Sequence, residues 1–285
     1  MKNVYKRVSL FLVALPALAG IILFLPQGHY AAVNCLAILV MGVGALEAGG
    51  IFRHQGVCVS RPVTFILGAA PPALCYISLW EIIPARYPVY FYVFAAVFLL
   101  AREIFHRNEE DFRQCLPRLG AYFFILLYPG LFGIYIIRLT ELPHAGVVFM
   151  IFIAATYLND SLAWLTGVLW GENTKNILAV SPNKSLVGFI GGFLTSILVI
   201  MACAALLHEY FPLSLPGAAL LGMALGISTI LGDLAESVLK RSGGVKDSGN
   251  LIPGRGGVLD SIDSPLFNAP VFFYLFTFLA GGSPL

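Results

Sequence analysis

Charge is what this sequence has least of. Only 11% of its 285 residues are Asp, Glu, Lys or Arg, and 59% are hydrophobic, whereas a soluble domain carries about a quarter charged residues. That balance excludes an ordinary soluble enzyme. Seventeen Lys and Arg against fifteen Asp and Glu give a net charge of +2, too little for the basic surface of a nucleic-acid binder, and no nucleic-acid partner is expected. The five cysteines, Cys35, Cys58, Cys75, Cys115 and Cys203, lack CxxC or Cys/His spacing. Neither a zinc site nor a disulfide is expected from them. The histidines His29, His54, His106, His144 and His208 fall in expected loops with no metal-ligand pairing. Also missing are the G-x-x-x-x-G-K-[ST] loop and a strand followed by G-x-G-x-x-G, which excludes the two common nucleotide-binding folds.

What the chain has instead is long apolar runs. A bilayer core of about 30 Å needs about 20 apolar residues per helix. Nine stretches qualify, at roughly 8–26, 30–52, 62–80, 87–101, 119–137, 145–170, 186–207, 213–239 and 265–281. The expected fold is all-α and polytopic, with about nine transmembrane helices. The fourth stretch is short, and a re-entrant fourth segment would make the count eight. The first follows Lys2, Lys6 and Arg7 without a small-residue cleavage site, so it reads as a retained anchor.

Cytoplasmic loops are enriched in Lys and Arg, which tests the count. Lys2, Lys6 and Arg7 precede the first stretch, and Arg53 and Arg61 follow the second. Arg102, Arg107, Arg113 and Arg118 follow the fourth, Lys175 and Lys184 the sixth, and Lys240, Arg241, Lys246 and Arg255 the eighth. Only Arg86 and Arg138 fall on the other side, so the N-terminus is expected in the cytoplasm. No fixed-period repeat or low-complexity linker divides the chain. It reads as one membrane domain, with scaffold spans over 1–140 and catalytic spans over 145–285, whose loops 171–185 and 240–264 are cytoplasmic. Glu47 is the one clear mid-span charge of the scaffold half.

The polar residues crowd into the second half. On a helix, Asp233, Glu236, Ser237 and Lys240 stand at i, i+3, i+4 and i+7, on one face. Ionisable groups at membrane depth usually mark function, although a snorkelling interfacial ion-pair cluster gives the same pattern. Next comes a run rich in glycine, including Gly243, Gly244, Gly249, Gly254, Gly256 and Gly257, with Lys246, Asp247 and Arg255 among them. Glycine lets backbone N–H groups approach an anion closely. Together with Lys240 and Arg241 the run reads as a phosphate cradle. Asp260 and Asp263 then open the last helix, where carboxylates also serve as caps. Paired acids beside clustered cations suit phosphoryl or nucleotidyl transfer, because Mg²⁺ on carboxylates and Lys/Arg together neutralise phosphate charge. Asp233 and Asp260 are the simplest metal pair. Upstream, Asp160 ends an apolar run as a cap or cavity liner, and Ser181-Pro182-Asn183-Lys184-Ser185 forms a short polar loop.

The pattern Ser237-x-x-Lys240-Arg241, then Lys246-Asp247, Pro253-Gly254-Arg255-Gly256-Gly257 and Asp260-x-x-Asp263 closely resembles the signature of the CDP-diacylglycerol synthases, or phosphatidate cytidylyltransferases. Gly232-Asp233-Leu234, Asp160-x-x-Ala163-Trp164 and the 181–185 loop followed by Gly188-Phe189-Ile190-Gly191-Gly192 extend the likeness. It covers 155–270.

The resemblance implies a Mg²⁺-dependent enzyme of the cytoplasmic (inner) membrane, with K⁺ as a candidate second cation, that transfers CMP from CTP to phosphatidate with its site facing the cytoplasm. It implies a homodimer as well. Asp233 and Asp260, with Asp263, would form the metal shell. Lys240, Lys246 and Asp247 would act on the reacting phosphates, while Asp160, Ser181, Lys184, Ser237, Arg241, Arg255, Gly256 and Gly257 would bind substrate. Two positions depart from the family pattern, Arg255 where His is usual and Ser261 where Arg is usual. Arg255 supplies a permanent bidentate phosphate donor but not the titratable group that His would. A CTP-dependent transferase for another lipid phosphate or alcohol is the alternative within enzymes, and a cation or phosphate transporter the alternative outside them.

Overall fold

The structure, a computed structural model, describes residues 2–84, 86–105 and 109–282, with side chains described from residue 13 onward. His106 and Arg107, and the side chains of Lys2, Lys6 and Arg7, lie outside the described residues. The elements are α1 (Lys2–Phe24), α2 (Gln27–His54), α3 (Arg61–Leu79), α4 (Tyr87–Glu103), α5 (Glu109–Arg113), α6 (Cys115–Ile125), a π-helical turn (Leu126–Leu131), α7 (Phe132–Arg138), α8 (Ala145–Trp170), α9 (Leu186–Leu206), α10 (Leu215–Ser242) and α11 (Leu259–Leu279). Among the described residues the one β-type pairing is an isolated bridge between Ile252 and Gly256.

Each of the nine apolar stretches is helical. Seven helices of the described residues are long and apolar enough to cross a membrane, and the chain is an integral membrane protein. The first and fourth stretches correspond to α1, with its apolar part at Val13–Phe24, and to the 17-residue α4. At about 1.5 Å per residue α4 is only about 25 Å long. The fifth stretch is one span built from α6, the π turn and α7. Pro129 sits inside it; proline removes a backbone donor, and the widened turn accommodates the gap.

The chain forms two compact units, Met1–Arg138 with Leu239–Ile262, and Leu139–Val238 with Asp263–Leu285. In the first, α2 lies against α3 along a seam of small residues, with Ala45 and Ala48 fully buried. In the second, α8 packs on α9, and Phe152, Phe211, Phe272 and Phe276 form an aromatic core. Polar side chains join its helices: the Asn159 amide donates to Ser196 at 2.8 Å, and the Asn268 amide donates to Thr156 at 3.0 Å and Thr229 at 2.7 Å. Such bonds hold helices together where lipid removes the hydrophobic drive. Residues 239–262 belong to the first unit, where a carboxylate on α2, described next, holds their backbone.

Candidate active site

In the first unit the glycine-rich run folds around two acids. Asp260, in the first turn of α11, has a side chain only 6% exposed, and its Oδ1 receives the Lys240 ammonium at 2.6 Å. Its Oδ2 accepts the Ser248 N–H at 2.8 Å, the Ser248 hydroxyl at 2.9 Å and the Gly257 N–H at 2.7 Å. Asp260 thus pins both ends of the loop and pairs with a lysine of α10. The second acid is Glu47, buried on α2, which accepts the N–H groups of Val258 at 3.0 Å and Leu259 at 2.7 Å and the Ser248 hydroxyl at 3.1 Å. Those N–H groups open α11, so Glu47 caps that helix from more than 200 residues away, where the positive end of the helix favours an anion.

Two glycines are required by these approaches. Gly256 has φ +114°, and a Cβ there would lie 2.6 Å from Asp260 Oδ2. A Cβ at Gly257 would strike the Ser248 hydroxyl and the Glu47 carboxylate. Between them and Asp247 the loop turns back on itself, with Ile252 N–H donating to Gly256 O at 2.8 Å and the reverse bond at 3.1 Å. Arg255 lies in the tip of that turn, half-buried, and Lys246, Asp247 and Arg241 are exposed. The cations expected to meet phosphate therefore stand around a backbone that carboxylates hold in place.

In the second unit Lys184 and Asp233 form an ion pair. Ser181 O accepts the Lys184 N–H at 3.1 Å, and Ser185 caps α9 by accepting the Gly188 N–H at 3.1 Å, which fixes the backbone on both sides of Lys184. Asp160 accepts the Ser264 hydroxyl at 3.5 Å. Asp263 is buried and accepts the Ser264 N–H at 2.8 Å, inside the helix rather than at its cap. Ser237 is half-buried on α10, one residue after the buried Glu236.

Among the described residues no three His, Cys, Asp or Glu side chains converge as a metal cage. Mg²⁺ rarely uses one: it keeps waters and takes one or two carboxylates plus substrate phosphates. Asp233 in the second unit and Asp260 in the first, the acids picked from the sequence, each hold a lysine, Lys184 and Lys240 respectively.

Sequence reasoning missed Glu47 and Ser248 as parts of the site. Ser248 lies within the signature run and had no distinguishing mark. Glu47 had one: a carboxylate amid an apolar span is costly unless something satisfies it.

Fold and site define a polytopic helical membrane protein that presents a glycine-and-cation loop. The model of the cytidylyltransferase family matches residues 5–279, and the chain belongs to that family. It is 42% identical over 135 residues to the uncharacterized protein YnbB of Escherichia coli, covering 47% of this chain and 44% of the relative. It is 33% identical over 186 residues to the phosphatidate cytidylyltransferase of Bacillus subtilis, covering 64% and 66%. With the phosphatidate cytidylyltransferase of Thermotoga maritima it shares 33% over 181 residues, covering 61% and 65%. The chain thus spans less than two thirds of the length of each of these relatives.

Proposed function

We propose that this protein transfers CMP from CTP to phosphatidate, forming CDP-diacylglycerol and pyrophosphate. The observation that carries the reading is the 240–260 loop, in which Asp260 and Glu47 hold the glycine backbone while Lys240, Arg241, Lys246 and Arg255 stand on it. Family membership and relatives named phosphatidate cytidylyltransferase support it.

In the proposed reaction a phosphatidate oxygen attacks the α-phosphorus of CTP in line. The new O–P bond forms as the bond from the α-phosphorus to the bridging oxygen breaks, and the electron pair leaves with pyrophosphate. The attacking phosphate is ionised near neutral pH, so the step needs no general base. Lys240, Lys246, Arg241, Arg255 and Lys184 stabilise charge on the leaving and transferred phosphates, while Asp247 and Asp160 orient cations. Ser181, Ser237, Gly256 and Gly257 contribute polar groups or close backbone approach to substrate. Asp233, Asp260 and Asp263 are the residues that would hold Mg²⁺, whose contribution is neutralisation of phosphate charge; K⁺ is the second cation of the reading. A homodimer in the inner membrane, with N-terminus and site facing the cytoplasm, completes it and rests on the resemblance and the distribution of cations.

The test is detergent-solubilised protein incubated with phosphatidate, Mg²⁺ and CTP labelled in the cytosine ring, with the label then counted in the organic phase. Metal-dependent incorporation that Asp260→Asn abolishes is the expected result. Incorporation into other lipid phosphates but not phosphatidate would transfer the assignment to a related transferase. Full turnover by Asp233→Asn or Asp260→Asn would refute the metal assignment.

A further inference from the structure

A second cationic feature lies in the first unit and uses none of the signature residues. A cavity of about 550 Å³ is lined by Arg53, Gly56, Val57, Cys58, Val59, Ser60, Arg102 and Arg118. One of its three guanidinium groups is neutralised: Glu103 holds Arg118 through contacts of 2.6, 3.0 and 3.1 Å, with both side chains buried. The other two are held more loosely. Among the described residues Arg53 donates to backbone carbonyls, Leu46 O at 3.2 Å and Val59 O at 3.5 Å. Arg102 donates to the Tyr122 hydroxyl at 3.0 Å and lies 5.3 Å above that ring, while its distance to Glu103 is a loose 3.9 Å.

Neutral donors complete the lining. Ser60 precedes α3, its side chain makes no cap to that helix, and it lines the cavity. The Ser60 N–H donates to the Tyr122 hydroxyl at 2.8 Å, so one tyrosine fixes both the loop and Arg102. Glu103 and Asp111 both act on Arg118, while Arg61 adds positive charge beside Arg53, so the wall at Arg53 and Arg102 stays cationic and suits a phosphate monoester carrying between one and two negative charges. Arginine forks suit phosphate oxygens.

The surroundings distinguish lipid phosphate from free phosphate. Phe94, Phe98 and Arg102 stand at i, i+4 and i+8 along α4, on one stripe. Phe94 and Phe98 are 72% and 57% exposed, and Phe105, just past the helix, is 81% exposed. In an integral membrane protein, aromatic side chains bare to this degree suit contact with lipid tails. Arg102 ends that exposed stripe, where a phosphate on acyl chains would meet it. The other wall is connected to the signature loop, because Gln55, two residues beyond Arg53, donates to Ser242 O.

We propose that this cavity binds the phosphate headgroup of an anionic phospholipid, gripped by Arg53 and Arg102 with Ser60, at a site separate from the signature residues. The inference does not rest on the proposed reaction.

Cys58 reports occupancy, since it lines the cavity and is exposed, and Cys35 is an exposed reference thiol. Alkylation of both by N-ethylmaleimide is followed by peptide mass spectrometry on full-length protein in detergent. The additives are dihexanoyl phosphatidate, inorganic phosphate or dihexanoyl phosphatidylcholine. At about ten times Kd, phosphatidate is expected to slow Cys58 modification about ten-fold and leave Cys35 unchanged. Arg53→Gln and Arg102→Gln should each remove the protection, and Asp260→Asn, which disables the proposed reaction, should keep it. Equal protection by inorganic phosphate would overturn the lipid assignment in favour of a free-phosphate site. Equal protection by phosphatidylcholine would overturn recognition of the anionic headgroup, and no protection of the unsubstituted protein would overturn the proposal as a whole, whether or not the Arg variants fold.

Discussion

Glu47 Oε2 accepts the backbone N–H of Leu259 at 2.7 Å, across 212 positions of sequence. That bond, with its partner to Val258, joins the middle of α2 to the start of α11 and makes a residue of the first half a positioning group for the signature loop.

Removing the carboxylate should therefore loosen the loop. Glu47→Ala leaves two helix-opening N–H groups without their acceptor, at a cost of about 2 kcal/mol or more, while the Ser248 hydroxyl keeps Asp260 as acceptor. The expected result is a lower melting temperature and faster hydrogen exchange across 245–259. Glu47→Gln retains a carbonyl acceptor and should fall between it and the unsubstituted protein. Unchanged exchange in both would mean that the loop is held by Asp260 alone.

The glycines divide into tolerant and intolerant positions on steric grounds. Gly257→Ala drives a methyl group into Glu47 and Ser248, whereas a Cβ at Gly120 on α6 meets nothing within 4 Å. Gly120→Ala should be neutral or stabilise by about 0.5–1 kcal/mol. Gly257→Ala should lower both the melting temperature and CTP incorporation, and parallel assays of the two proteins check the contrast.

Lys184 and Asp233 are 25% and 34% exposed, so solvent screens the pair and its contribution to stability is within about 1 kcal/mol. Asp233→Asn is accordingly expected to unfold almost as the unsubstituted protein does, while losing roughly 10²-fold or more in turnover. A large drop in melting temperature with normal turnover would make Asp233 a structural residue.

The Arg118 and Glu103 pair is the opposite case, at 4% and 6% exposure. Glu103→Gln takes the bidentate carboxylate away from a buried guanidinium, and a loss of about 3–5 kcal/mol is expected. The double variant Glu103→Gln with Arg118→Met should recover part of it, because both charges then leave the interior together. A double-mutant cycle by thermal unfolding measures the coupling.

The sequence alone determined the class of molecule. Apolar runs of span length report burial in lipid directly, and all nine stretches are helices, with 145–170 matching α8 residue for residue. The chemistry of the signature was also legible, because glycine, Lys, Arg and Asp at close spacing lie on one contiguous segment. Partners distant in the chain were not. Pairing of Lys184 with Asp233, Lys240 with Asp260, and Glu47 with Leu259 depends on which helix ends the fold brings together, and no local periodicity encodes that. Hydropathy records how much apolar surface a segment has, but only tertiary structure decides which buried carboxylate its backbone N–H groups will find.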